Sequence, residues 1–203
     1  MMRITHFTCL IADEHSAGRY QPDGLDEHDR RRLLDHPDLA RRADWQVSRY
    51  LKQQAPAQVK SLSHSKGAAA VLCGATPMPA GVDIETIRER DFQALAEWVA
   101  TEEERQALAQ RGWQAEDFYE LWTLKEALLK AANLSFPDDM QQVGWQKSLG
   151  NMRQLHVKGQ VGWNGLTVKI GEKLMLACVW QGEASVELLG ADALGGLSEM
   201  KKW

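Results

Sequence analysis

Long apolar runs are missing from this chain. None approaches the ~20 residues that a bilayer-spanning helix needs, and the first residues lack the basic-then-apolar pattern of a signal peptide, so a cytoplasmic protein with no membrane association is expected. Cysteine is scarce. Cys9, Cys73 and Cys178 lie far apart with no Cys-x-x-Cys between them, which argues against a disulfide framework or a zinc site and leaves buried thiols as their role. An excess of positive charge is also missing: the formal net charge is -4, so no broad basic surface for a duplex is expected and no nucleic-acid partner with it. What is present is a soluble globular composition, 44% hydrophobic and 26% charged over 203 residues, enough for a sizeable core in one or two domains.

The charge is unevenly distributed. From His28 to Lys60 eight Lys and Arg face four Asp, whereas from Gly81 to Glu120 eleven Asp and Glu face four Arg. A basic section suits an anionic ligand and an acidic one a divalent cation, although charged loops alone would produce the same contrast.

In chain order, Ile4 to Ala12 alternates as a first strand. Asp13 to Asp26 reads as a loop, Glu27 to Leu34 as a short basic helix stopped by Pro37, and Leu39 to Gln54 as a helix stopped by Pro56. Ser61-Leu62-Ser63-His64-Ser65 is a polar cluster ahead of a buried strand from Ala68 to Cys73. Alone it reads as a satisfied turn histidine, though its donors suit phosphate oxygens. Gly74 to Ala80, with Pro77 and Pro79, marks a boundary between an N-terminal half, 1–80, and a C-terminal half, 81–203.

Gly81 to Glu85 then forms a strand whose period of two puts Asp83 and Glu85 on one face. They repel unless a cation or basic partner lies between them; an exposed strand end paired to Arg88 or Arg90 would serve equally. Asp91 to Gln110 is helical, with Thr101 capping a new segment through Glu102, Glu103 and Glu104. Phe118, Leu121, Leu124, Leu128 and Ala132 form one apolar helical stripe. Off it, Glu126 and Lys130 project from the same side with Lys125 beside them, on their own no more than a solvated face with one ion pair. Asp138 to Gly150 reads as a loop. Leu155 to Val157, Leu166 to Ile170 and Leu174 to Trp180 read as three strands of one antiparallel sheet, and the tail from Gly182 is left open.

Three pieces now stand in order: Ser63-His64-Ser65, then Gly81-Val82-Asp83-Ile84-Glu85, then Trp122-Thr-Leu-Lys125-Glu126-Ala-Leu-Leu-Lys130. In this the chain resembles the 4'-phosphopantetheinyl transferases of the two-subdomain, surfactin-synthetase-activating type, whose motifs are Ser-His-Ser, Gly-x-Asp-x-Glu and Trp-x-x-Lys-Glu-Ala-x-x-Lys. The resemblance implies an α+β fold of two pseudo-symmetric halves, each a small antiparallel sheet packed with a helix, with coenzyme A in the cleft between them. It implies Mg²⁺, or Mn²⁺, on Asp83, Glu85 and Glu126, and Glu126 as general base toward the serine of an apo acyl or peptidyl carrier protein. Lys130, with Lys125, would add positive charge at the pyrophosphate. Ser63, His64 and Ser65 would hold phosphates, and Arg31, Arg41 and Arg49 are further phosphate candidates by position. A monomer is expected. The family's Gly-Lys-Pro turn and its Asn upstream of the triplet are absent, the segment reading Ala55-Pro56-Ala57-Gln58-Val59-Lys60-Ser61-Leu62.

Two other classes share some of these features. A metal-dependent nuclease also uses paired carboxylates, but no Glu-x-Lys follows Asp83 at short distance. A catalytically silent coenzyme A or carrier-binding module would not need Asp83, Glu85, Glu126 and Lys130 intact.

Overall fold

The computed structural model describes residues 5–147 and 152–203; Ile4 and the end of the Asp138 to Gly150 segment lie outside them. The fold is α+β, several small and mostly antiparallel sheets packed with helices. The N-terminal part contains β1 (Thr5–Ala12), α1 (Glu27–Asp35), α2 (Ala43–Gln53), β2 (Val59–Ser65) and β3 (Ala68–Gly74). There follow β4 (Ala80–Thr86), α3 (Phe92–Val99), α4 (Glu102–Gln110), α5 (Ala115–Ala132), β5 (Val143–Lys147) and β6 (Arg153–Val157). The chain closes with β7 (Trp163–Ile170), β8 (Leu174–Gln181), β9 (Ala184–Leu189) and β10 (Lys201–Lys202).

One sheet has the order β2-β3-β1-β9 and the other β10-β7-β8-β4. They pack face to face: Phe7, Cys9, Ile11, Ala70 and Leu72 of the first share a core with Val82, Ile84, Val168, Leu176 and Cys178 of the second. The apolar run of β3 is buried on both faces because Ala69 and Val71 point away from that core, onto Val47 and Leu51 of α2.

Several expectations are corrected. The serine-rich cluster is a strand, β2, paired to β3 through a turn whose Lys66 and Gly67 both have positive φ. It was not legible as a strand because it is an edge, three of whose seven side chains are hydroxyls. Val143 to Lys147 is likewise a strand rather than loop. It pairs β6 in a separate two-stranded sheet, so Leu155 to Val157 does not join β7 and β8. Beyond Gly182, β9 returns to run parallel to β1, so a segment counted with the second half completes the first sheet.

Helix α5 is buried on more than one stripe: besides Phe118, Leu121, Leu124 and Leu128, it buries Tyr119, Thr123, Lys125, Ala127 and Leu129. It lies unusually close to β4. A Cβ at Gly81 would stand 2.1 Å from the carbonyl oxygen of Ala127 and 3.0 Å from the backbone nitrogen of Ala131, so the glycine that opens β4 lets the helix backbone rest on the strand.

Gly81→Ala should therefore push α5 off β4 and cost about 1–3 kcal/mol or more, read as a lower urea midpoint. An unchanged midpoint would show that the helix can yield.

Candidate active site

Val82 and Ile84 point into the core between the sheets, so Gly81, Asp83 and Glu85 present the opposite face of β4, toward α5. One turn along the helix from Glu126, Lys130 places Nζ 2.8 Å from Asp83 Oδ1 and 3.2 Å from the Val82 carbonyl oxygen. Asp83 is buried and Glu85 and Glu126 half-buried. Burial, then the charge of Asp83, partly offset by Lys130, then Glu85, raises the Glu126 carboxyl to about 7. Burial also lifts Glu85 above the ordinary carboxylate range, against a hydrogen bond from Ser65. The site thus gathers three carboxylates around one ammonium.

β2 runs beside β4 in the same direction, and the two edges are joined by side chains. Ser61 Oγ accepts from the Val82 N–H at 3.1 Å, Ser63 Oγ donates to Asp83 Oδ1 at 2.7 Å, and Ser65 Oγ donates to Glu85 Oε2 at 2.6 Å while accepting from the Thr86 N–H. A hydroxyl carries one hydrogen. Ser63 and Ser65 therefore direct theirs to carboxylates.

His64 projects the other way and is exposed, with Nδ1 3.3 Å from Asp44 Oδ2. Its pKa is lowered by partial burial, raised by Asp44, and lowered again by the charges of Arg42, Arg49 and Lys130. Arg42, which the sequence did not single out, is among them and forks onto Asp44 at 3.1 and 2.5 Å. Arg49 is buried, donating to Asp29 and Ser48 and stacked 3.6 Å from the Trp45 ring centroid. It lines a cavity of about 390 Å³ with Asp29, Lys52 and Gln53. Arg31 and Arg41 are exposed, on α1 and on the 3-10 turn before α2.

Lys125 corrects a further expectation. It does not project beside Glu126 and Lys130 but is wholly buried, its Nζ 2.7 Å from Glu104 Oε2. Glu104 closes the capping box with Thr101 and accepts from the Trp145 N–H, tying α4, α5 and β5 together. A small cavity of about 120 Å³ adjoins Glu85, lined by Arg88, Arg90, Phe118, Tyr119 and Trp122.

The donor set fits a hard divalent cation. Its ligands are all oxygen, they repel one another, and Asp83 Oδ2 is buried with no hydrogen-bond partner. The three carboxylates stand more openly than Asp26, His28 and Asp29, the one such group among the described residues whose ligand atoms lie within 4.8 Å of one another. That second group is already neutralised: Lys52 Nζ lies 2.5 Å from Asp26 and 2.6 Å from Asp29, and Arg49 lies 2.7 Å from Asp29.

Residues 79–171 match the family model described as the 4'-phosphopantetheinyl transferase superfamily. The match spans the strand bearing Asp83 and Glu85 and the helix bearing Glu126 and Lys130, and leaves the serine strand outside. It supports the superfamily and, with it, phosphopantetheinyl transfer in general. No curated protein matches the chain. Among the described residues no helix is long and apolar enough to cross a membrane.

The raised carboxyl of Glu126 makes a pH prediction. Its folded pKa of about 7 exceeds the ordinary 4.5, so the folded chain holds the proton more tightly, and without metal that stabilisation is present at low pH and lost as pH rises through about 7. In EDTA, Glu126→Gln should be more stable to urea than wild type at pH 8, the two converging toward pH 5. A pH-independent difference would contradict this.

Proposed function

We propose that this chain transfers the 4'-phosphopantetheine arm of coenzyme A to a serine of an acyl or peptidyl carrier protein, in the manner of the surfactin-synthetase-activating enzymes. The observation that carries this reading is the placement of Asp83, Glu85 and Glu126 around Lys130 at one strand–helix contact, inside the matched region. In the reaction the carrier's seryl oxygen attacks the phosphorus that bears pantetheine, the bond to the second phosphate breaks, and 3',5'-adenosine diphosphate leaves.

Mg²⁺ or Mn²⁺, held by Asp83, Glu85 and Glu126, would neutralise the pyrophosphate as charge builds on the leaving group. Glu126 would accept the seryl proton, directly or through water, since the charge of a bound cation would keep it in the carboxylate form that can take one. Lys130 supplies a fixed positive charge beside Asp83. His64, exposed and sharing Asp44 with Arg42, is the candidate for the 3'-phosphate, and Arg31 and Arg41 remain exposed candidates for the same group. Lys125 has no part in this, because its ammonium is enclosed by Glu104.

The deciding experiment incubates the protein with coenzyme A, Mg²⁺ and a panel of apo carrier proteins and weighs the carriers. Glu126→Gln should slow transfer by a factor on the order of 10² or more. Glu120→Gln, on the same helix and paired instead with Lys201, should leave it intact. Near-normal transfer by Glu126→Gln would remove both roles of that residue, and wild-type binding of coenzyme A without transfer would favour a silent binding module. Separately, dephospho-coenzyme A should bind more weakly than coenzyme A, and His64→Ala should narrow the gap, worth about 1.5–3 kcal/mol. Equal wild-type affinities would remove His64 from the phosphate site.

A further inference from the structure

The serine strand has a second use that depends on where each hydroxyl lands. Ser61, Ser63 and Ser65 alternate along β2 and all meet β4, but their partners differ in kind. Ser61 receives a backbone N–H from Val82. Ser63 and Ser65 give their hydrogens to the two side chains that would ligate the cation. On Asp83 the effect is asymmetric. Oδ1 takes both the Ser63 hydroxyl at 2.7 Å and the Lys130 ammonium at 2.8 Å, and Oδ2 is left buried with no partner. A carboxylate with two donors on one oxygen cannot rotate about its final bond without losing both, so its remaining oxygen is aimed. Glu85 is held by a single hydroxyl, that of Ser65 on Oε2. The donors are well placed to resist deformation: Ser63 is itself buried, at 7% exposure, and β2 is in regular register with β3 from Ser61 to Ser65.

We propose that Ser63 and Ser65 are positioning residues for the divalent cation: each holds one oxygen of Asp83 or Glu85 by a hydroxyl hydrogen bond and leaves the other oxygen free for the ion. This rests on the reading of Asp83, Glu85 and Glu126 as the cation's ligands. It accounts for alternate serines on an edge strand beside two carboxylates, and it joins the two sheets at the point where the ligands sit. Orienting partners of this kind commonly change metal affinity by about 10–100-fold when removed. A purely structural seam would make the three serines equivalent.

The test is Mn²⁺ binding to the full chain, read from the free Mn²⁺ signal in electron paramagnetic resonance, for wild type, Asp83→Ala, Ser61→Ala, Ser63→Ala and Ser65→Ala, with thermal midpoints alongside. Ser63→Ala and Ser65→Ala should each weaken Mn²⁺ binding by roughly 10-fold, and Ser63→Thr, which keeps the hydroxyl, should restore most of it. Ser61→Ala should lower the midpoint but leave the affinity unchanged. Should Ser63→Ala fail to fold, Ser63→Cys, with its weaker donor, takes its place with the same expected direction. If the wild type binds Mn²⁺ and Asp83→Ala does not, yet the Ser63 and Ser65 variants bind as wild type or Ser61→Ala weakens binding equally, the positioning role is overturned and the cation site stands. If the wild type does not bind, or Asp83→Ala binds as well, the cation site itself falls and takes the proposal with it.

Discussion

The close approach of a helix to a strand at Gly81 is the constraint on which the site depends. Without a Cβ at that position the carbonyl of Ala127 can sit where any other residue would place a side chain. That distance sets the height of α5 above β4, and so fixes whether Lys130, one residue short of a turn beyond Ala127, reaches Asp83. The 2.8 Å contact between them follows from a backbone fit, and the glycine of the strand motif has a packing reason that stands apart from any ligand.

That fit has an electrostatic cost. It brings Glu126 down beside Asp83 and Glu85, and a single ammonium cannot offset three partly buried carboxylates. Burial first, and then the charges of Asp83 and Glu85, raise the Glu126 carboxyl there. A fold selected for stability alone would replace one of these acids with a neutral residue. Three such acids alongside a partnerless Asp83 oxygen suit the divalent cation proposed for this site. By contrast, Asp26 and Asp29 sit closer together than these three but have Lys52 and Arg49 in contact, and such a group is finished as it stands.

Much of this was legible in the sequence because the informative residues obey simple periods. Two-residue spacing put Asp83 and Glu85 on one face, four-residue spacing put Glu126 and Lys130 on one side of a helix, and Thr101 announced a cap that the structure contains. What could not be read depended on tertiary neighbours. β2 has no apolar alternation because its inner-edge side chains are hydroxyls facing another strand, and only that strand explains them. β9 joins β1 across nearly the full length of the chain, a pairing no local pattern encodes. Arg42 shares Asp44 with His64 because of where α2 begins, which sequence position alone did not favour over Arg41.

Lys125 is the clearest instance of motif chemistry and structural role diverging. On an isolated amphipathic helix it lies about 100° from Glu126, at the margin of the polar face, and solvent would be its natural partner. α5 is instead enclosed on most of its circumference, so the same direction leads into the interior, where Glu104 meets it. A buried pair of this kind adds little net stability over apolar residues of similar volume, yet losing either partner strands a charge at about 3–5 kcal/mol. Its value lies in specificity of placement. Glu104 also accepts from the backbone at Thr101 and Trp145, and a Cβ at Gly144 would stand 2.0 Å from its Oε1. The pair can therefore close in one register of α4, α5 and β5, and that register holds the rotation of α5 about its own axis. Gly81 sets how near the helix comes, and Lys125 sets which way Glu126 and Lys130 face when it arrives.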